Sequence, residues 1–591
     1  MRVKIADYIA DFMADHGVEH VFTVTGGGAM HLNDAFGHHI RLKSIYNHHE
    51  QACAIAAEGY ARLSGKVAVV CVTSGPGGTN AITGVLGGWL DSIPMFVVSG
   101  QVKRETTIRA RNLDLRQLGD QEYDIVSSVK PMTKYAEMVL DPMDIRYHLE
   151  KAWYLCHNGR PGPVWLDVPL DVQASFVETG ELRGFDGPFE ENPLYDVNQT
   201  DEILRHLMEA KRPVILAGTG IRLAGALNEF LQFVETMRVP VVTAWNAHDV
   251  MPDDHPFFCG RPGTVGTRGG NFVVQNADCL FVLGCRMNIR QISYNYKSFA
   301  PKAYKIVVDI DKRELAKPTV HVDLPIWADL KDVLTDLNKK QIESHHSDWL
   351  KWARAIDLKY PAVLPEYYEK EKLNPYVFVK EFTKGLQEND VMVCGNGSAC
   401  VIGFQAAVIK GRTRLFTNSG CAAMGYGFPA AIGACVARGD ERVICIDGDG
   451  SFQMNLQELQ TVVYNNLNIK IIYLNNNGYH SIRQTQTNLF KGQPLVGVCD
   501  GTGISFPEAE RLAYAYQIPF VRVSKQEDIT GLIKAMEDKG PLFAEVVVDE
   551  TQNFAPKLSS KVLPDGKIVS PEIDDMFPFL ARDEYESNKL A

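Results

Sequence analysis

The segment VICIDGDGSFQMNLQELQTVVYNNLNIKIIYLNNNGYHSIRQ holds the residues best suited to do chemistry: a carboxylate, Asp449, and 27 residues further on an amide, Asn476. The segment parses as strand, loop, helix, strand, loop, with the first strand ending at about Asp447 and the second at about Leu474. A right-handed crossover makes such strands parallel neighbours or nearly so. Asp449 and Asn476 are then expected just past the carboxyl ends of their strands, the edge of an open α/β sheet where ligands bind. A carboxylate and an amide oxygen converging there suit a hard cation such as Mg²⁺, which usually also takes phosphate oxygens, a backbone carbonyl or water. Gly448 and Gly450 let the backbone approach an anion, and the following helix points its N-terminal amides at the same place. A DG turn and an Asn-rich turn are each common alone; their spacing within one strand–helix–strand unit carries the reading.

The elements that position these residues follow one grammar along most of the chain. VAVVCVTSG (67–75) reads as a buried strand entering a Gly/Pro turn, GGTNAITGVLGGWL as a helix and MFVVSG as the next strand. Strands alternating with helices imply parallel sheets. The expected architecture is α/β, with three doubly wound parallel-sheet domains. The expected bounds are a first block at 1–180, a second at 198–340, a charged helical linker at 341–372, a third block at 373–555 and an irregular tail at 556–591.

Bulk properties exclude several classes. A chain of 591 residues exceeds one hydrophobic core. Its net charge of −12, with no basic run, argues against nucleic acid or an anionic membrane as the main partner. The N-terminal stretch reads as an amphipathic helix interrupted by Asp7, Asp11 and Asp15, not as a signal peptide. No apolar run reaches membrane-spanning length. The twelve cysteines form no CxxC pair, so neither a disulfide framework nor a zinc site is suggested, and a reducing cytoplasm is the default location.

GDGS followed at this distance by NN resembles the thiamine diphosphate motif, and further segments extend the likeness. HHEQACAIAAEGYAR, TSGPGGTNAITGV, WLDSIPMFVVSGQV, RPGPVWLDVPLDVQ and NSGCAAMGYGFPAAIGA resemble, in this order, the acetolactate synthase family of thiamine diphosphate enzymes. The resemblance implies a pyrimidine-binding first domain, a flavin-type middle domain and a diphosphate-binding third domain. It assigns Glu50 the catalytic role: the matching carboxyl hydrogen-bonds N1′ of the pyrimidine and promotes the tautomer whose N4′ removes the C2 proton. Such a carboxyl needs a raised pKa, as burial provides. On residue type alone, Glu50 could equally cap the helix that begins there. Met424 would prop the cofactor into its bent shape, and Gly425 would offer its carbonyl to N4′. Gly397, Ser398, Gly448, Asp449, Gly450 and Ser451 would hold the diphosphate, and Asp449, Asn476 and the Gly478 carbonyl the Mg²⁺. Gly26, Gly27, Gly75, Asn80 and Tyr479 complete the implied cofactor set. Gln121 matches a residue near the reaction centre, and His480 is a candidate for proton transfer. Two departures stand out. Ser398-Ala399 replaces the family's frequent Gln-His, and RETTIRARNLDLRQLGD is longer than the usual loop before Gln121.

In the middle block GTGIR (218–222) is only a partial nucleotide motif, with Gly218 and Gly220 as its glycines. LGCRMNIR (283–290) resembles the family's flavin-contacting segment, with Asn288 and Ile289 in place of two acids. FAD is expected there, without net redox work, on Arg286, Asn288, Arg290, Asp309 and Asp329, with GTVGTRGG (263–270) around its phosphates. Glu50 and the GDG motif lie in different blocks, and in this family the site forms between subunits. A homodimer or dimer of dimers is therefore implied. The implied reaction is decarboxylation of a 2-keto acid, pyruvate first, with transfer of the remaining unit to an acceptor carbonyl. Thr485 occupies the place of a Trp found in biosynthetic members. That change, the long loop, TVTGGGAMHLNDAFG and SPEIDDMFPFLARDEY also admit a sugar-modifying carboligase acting on a nucleotide-linked keto sugar. A flavin-dependent pyruvate oxidase and a catalytically silent subunit are lesser alternatives.

Overall fold

The computed structural model describes residues 1–439, 441–562 and 567–590. Three parallel sheets carry the chain. The first contains β1 (His20–Thr23), β2 (Lys43–Tyr46), β3 (Val69–Val72), β4 (Phe96–Gln101), β5 (Tyr135–Met138) and β6 (Val164–Pro169), in the order 2-1-3-4-6-5. The second contains β7 (Pro213–Ala217), β8 (Val241–Thr243), β9 (Cys279–Leu283), β10 (Tyr304–Asp309) and β11 (Leu324–Trp327), in the order 8-7-9-10-11. The third contains β12 (Val391–Cys394), β13 (Arg414–Phe416), β14 (Val443–Gly448), β15 (Ile469–Asn475), β16 (Phe520–Val523) and β17 (Leu542–Val547), in the order 13-12-14-15-17-16. The first and third sheets thus share one strand order, and in each the chain reverses direction of growth beside its first strand. That switch point opens a crevice at the carboxyl edge. The central strands are runs of buried Val, Ile and Leu, as sheets covered by helices on both faces require.

One seam joins the first domain to the third. Helix α1 (Glu50–Ser64) lies against helix α2 (Gly427–Ala437), and both bury small residues along the contact. The approach is so close that a Cβ on Gly433 would fall 1.8 Å from the Ala56 carbonyl oxygen. At the far end of the seam the buried Glu58 accepts from Tyr426 Oη at 2.7 Å and from Asn418 Nδ2 at 3.2 Å, and it pairs with Arg62. Arg62 also reaches Asp91 at 2.8 Å. The paired charges are buried together, which is the condition under which burial of charge is tolerated.

The C-terminal residues return to the middle domain. Asn271 Nδ2 donates to the Ile573 carbonyl and Arg268 to the Met576 and Pro578 carbonyls. These contacts occupy GTVGTRGG, whose glycines let Asp357 and Arg261 pack against the backbone. That segment is a junction between chain parts and does not line the cavity described below. Among the described residues no helix is long and apolar enough to cross a membrane.

Gly433→Ala should wedge α1 away from α2. Overpacking of this kind costs about 1–3 kcal/mol, so a lower melting temperature is expected by calorimetry, with Gly531→Ala, which meets open space, as the control.

Candidate active site

Strands β14 and β15 pair in parallel, with Gly448 opposite Leu474, which brings the turns that follow them together. Asp449 lies in the first turn of a short helix directly after β14. Its Oδ2 accepts from the Gly478 amide at 2.8 Å and the Asn476 amide at 3.2 Å, and its Oδ1 from the Gly450 amide at 2.8 Å. Burial pushes this carboxyl up to about 6, while the three amides favour its charged form. Asn476 Nδ2 donates to Ser398 Oγ at 2.9 Å, which ties the loop after β15 to the loop after β12. That bond leaves Asn476 Oδ1 buried without a protein partner among the described residues. A buried acceptor beside a carboxylate suits a hard cation. Among the described residues no group of three or more His, Cys, Asp or Glu side chains is arranged to hold a metal ion, so such a cation would draw on amide, backbone and phosphate oxygens. Gly478 adopts φ +119°, and a Cβ there would strike the Val498 carbonyl; only glycine can make this turn and keep its amide on Asp449. The Tyr479 ring packs directly over Gly450.

Gly397 and Ser398 begin the helix after β12, and Ser398 Oγ meets Asn476 Nδ2 there. Ser451 Oγ accepts from the Gly425 amide at 2.9 Å and so links the GDGS turn to the segment bearing Met424. Met424 is 39% exposed. The Gly425 carbonyl accepts from Asn455 Nδ2 at 2.7 Å and retains a second lone pair.

The second half-site lies at the carboxyl edge of the first sheet. Glu50 stands in the first turn of α1, but the cap is His49, whose Nδ1 accepts from the Gln51 amide at 3.1 Å. Glu50 Oε2 accepts from Asn80 Nδ2 at 3.0 Å. Glu50 Oε1 faces Gly77, near Thr73, and Thr73 packs against Gly26. Gly27 follows at the start of a short 3₁₀ turn after β1. Gly75 precedes the Pro76–Asp91 helix and lies under the Gln121 carbonyl. Gln121 itself adopts φ 58° and is exposed. The long loop before it is knotted by the buried Glu122, which accepts from the amides of Ile108, Leu118 (2.7 Å) and Gly119 (3.0 Å).

His480 sits apart from Glu50. It is buried among Ser398, Ile402, Asn476 and Gln552, behind the turn that carries Asn476. Burial and then the Arg483 charge push its pKa down to about 4, so it is neutral at physiological pH. Its neighbours include residues of the turns after β12 and β15, and Glu50 is not among them.

A separate cavity of about 1030 Å³, counted with its open mouth, lies over the carboxyl edge of the second sheet. Gly218, Gly220, Arg286, Asn288, Asp309 and Asp329 all line it. Burial pushes Asp309 up to about 6. Asn288 and Asp329 also cap the helices that follow them. Arg290 lies outside the lining, stacked 5.2 Å from the Trp245 ring centroid. Sequence reasoning missed the walls from other domains: Arg62, Asp91 and Arg160 of the first and Ser419 of the third. It also missed Asp447, buried beneath the GDGS turn and pushed up to about 7 by that burial, and Asn455 and Glu458. The only signal in the sequence was their nearness to GDGS.

Comparison with known proteins places these half-sites in context. Residues 3–125 match the thiamine pyrophosphate enzyme N-terminal TPP binding domain, 200–337 the central domain and 395–546 the C-terminal TPP binding domain. The acetolactate synthase large subunit of Lactococcus lactis subsp. lactis is 33% identical over 557 residues, covering 93% of this chain and 94% of the relative. The probable acetolactate synthase large subunit of Methanocaldococcus jannaschii is 32% identical, covering 97% of this chain and 98% of the relative. Acetolactate synthase 1, chloroplastic, of Oryza sativa subsp. japonica is 32% identical, covering 94% and 86%.

Asp449→Ala should weaken Mg²⁺-dependent binding of thiamine diphosphate by roughly 100-fold, equivalent to about 3 kcal/mol. Calorimetric titration measures this, and unchanged affinity would remove Asp449 from the metal site.

Proposed function

The chain belongs to the thiamine pyrophosphate enzymes and, within them, to the acetolactate synthase large-subunit family, and from that premise we propose that it decarboxylates pyruvate and joins the remaining two-carbon unit to a second 2-keto acid. The reading rests chiefly on the unpartnered, buried Asn476 Oδ1 beside Asp449, an arrangement that fits a cation bridging to a diphosphate. The relatives' name favours a keto-acid acceptor over a nucleotide-linked sugar.

Thiamine diphosphate, when bound, supplies the electron sink that accepts the pair released with CO₂. The protein's part is to hold it and to manage protons. Asp449, Asn476 and the Gly478 carbonyl would hold Mg²⁺, with Gly397, Ser398, Gly448, Gly450 and Ser451 around the diphosphate and Tyr479 behind it. Met424 would support the ring system, and the free lone pair of the Gly425 carbonyl would accept from the pyrimidine amine. Glu50 would hold a proton at the pyrimidine nitrogen. Its Oε2 is engaged by Asn80, which leaves Oε1 as the proton-bearing atom. Gly26, Gly27 and Gly75 would shape the floor beneath, with Gln121 at the mouth.

The two half-sites lie on different sheets, and no hydrogen bond or ion pair among the described residues joins Glu50 to Asp449, Ser398 or Met424. Met424, Leu113, Leu115, Leu118, Ile482 and Phe490, from segments flanking both half-sites, all expose apolar surface. A second copy of the chain would cover it, and an active site completed between subunits of a homo-oligomer accounts for both facts. FAD is the proposed occupant of the three-domain cavity, with Arg286 at its centre; the cavity's size and the acids Asp309 and Asp329 support a nucleotide cofactor.

Glu50→Gln should retain cofactor binding and lose keto-acid turnover by roughly 10²–10⁴-fold, the range for removal of a general acid–base group; activity within a few-fold of wild type would remove Glu50 from the proton relay. With ¹³C-pyruvate, Mg²⁺ and thiamine diphosphate, mass spectrometry should find labelled acetolactate, and its absence would overturn the acceptor assignment. Arg286→Ala should lower the FAD content of purified protein by absorbance at least tenfold. Equal flavin in both proteins, or none in wild type, would refute the FAD assignment.

A further inference from the structure

Among the described residues Glu50 has one side-chain hydrogen-bond partner, Asn80, yet the loop that carries it is fastened from the other domain. The fastening comes from residues 453–458, which continue directly from the GDGS turn as a 3₁₀ run. The run is broken at Asn455, whose φ of −137° and ψ of 26° leave helical space and turn its side chain into the seam. Asn455 is buried, and its Nδ2 donates both to Gln51 Oε1 at 3.1 Å and to the Gly425 carbonyl at 2.7 Å. Gln457 Nε2 donates to Asn455 Oδ1 at 3.2 Å and fixes the orientation of the amide.

Three residues on, Glu458 is fully buried. Its Oε1 accepts from the His48 amide at 3.0 Å, and its Oε2 from Asn47 Nδ2 at 2.9 Å and Thr461 Oγ1 at 2.7 Å. No ion pair engages it among the described residues. A buried carboxyl is tolerated only where donors satisfy it, and two of its three donors belong to the Glu50 loop. Glu50 is therefore bracketed, by Asn47 and His48 before it and Gln51 after it, by two polar side chains of the diphosphate-binding domain.

We propose that Asn455 and Glu458 are positioning residues that set the placement of Glu50. The inference rests on the catalytic role assigned above to Glu50. It explains why Asn455 and Glu458 are buried beside the Glu50 loop, where packing alone would be served by Leu or Ala. It also ties the Glu50 loop and the Gly425 carbonyl of one chain to a shared amide; with the site completed between subunits, that link joins a group of one site to a group of the next.

The test uses the full chain with Mg²⁺ and thiamine diphosphate. Glu458→Leu should lower kcat roughly 100-fold, the cost of a displacement of about 1 Å at a reacting group. KM for pyruvate and affinity for thiamine diphosphate should stay within about threefold of wild type on the same basis. In the protein without cofactor, amide exchange at His48 should speed by at least about tenfold, because its acceptor is gone. Glu458→Gln should recover kcat to within about tenfold of wild type. The Asn47 amide can flip so that its Oδ1, now buried without a partner, accepts from the new side chain. Thr461→Val removes a bond to the same carboxyl outside the loop and should leave kcat within about twofold. If Glu458→Leu fails to fold, Asn455→Ala carries the test, with an expected loss of roughly tenfold in kcat at unchanged cofactor affinity. A kcat within fivefold of wild type for the variant tested, or a loss of cofactor affinity matching the loss of rate, would overturn the proposal. If Glu50→Gln is itself active, the functional reading fails; if Glu50→Gln is inactive while Glu458→Leu is not, only the positioning role fails.

Discussion

Everything at the candidate active site depends on the parallel pairing of Val443–Gly448 with Ile469–Asn475. The register sets Gly448 against Leu474, so the chain leaves both strands at one height and Asp449 meets the amides of Asn476 and Gly478. Those amides favour the charged form of a carboxyl that burial pushes up to about 6, and Ser398 holds the Asn476 side chain by its nitrogen. A slip of one residue in that pairing would exchange the two faces of the strand and dismantle the arrangement. Val443, Ile444, Ile446, Ile469, Ile471, Ile472 and Leu474 in these strands are all buried, so the same two strands carry core packing and site geometry.

The meeting of Asp449 with Asn476 and Gly478 was legible in the sequence because all three lie on one strand–helix–strand unit, where spacing translates directly into position. The three sheets were legible for the same reason. Two of the domains repeat one strand order, and each strand is a short apolar run between turn residues. Glu50 was legible only through family likeness; its residue type would have suited a cap, a duty that His49 performs instead.

The remainder was hidden because it depends on contacts between domains. Glu458 meets Asn47 and His48 across about 410 residues of chain, and no local pattern encodes such a meeting. The cavity over the middle sheet was read as a one-domain nucleotide pocket, yet Arg62, Asp91, Arg160 and Ser419 also form its walls. Arg290, grouped with Arg286 by motif, stacks on Trp245, which lines the same cavity as Arg286. His480 was drawn to the chemistry by its place after the metal turn; the helix that starts there takes the ring inward, beside Arg483 and Phe554.

The return of the C-terminal residues to the middle domain bears on how the protein is made. Asn271 bonds to the Ile573 carbonyl and Asn276 to the Asn588 carbonyl and the Leu590 amide, over separations of 302, 312 and 314 residues. At synthesis rates of about 5–20 residues per second, Asn271 and Asn276 wait on the order of 15–60 s after their own synthesis before they find these partners. For most of that interval the sheet is complete while one side of the Arg268–Gln275 helix is uncovered. The final few dozen residues therefore act as a closing step in biogenesis, and a chain truncated before them would carry the candidate active-site residues on a middle domain left permanently unsealed.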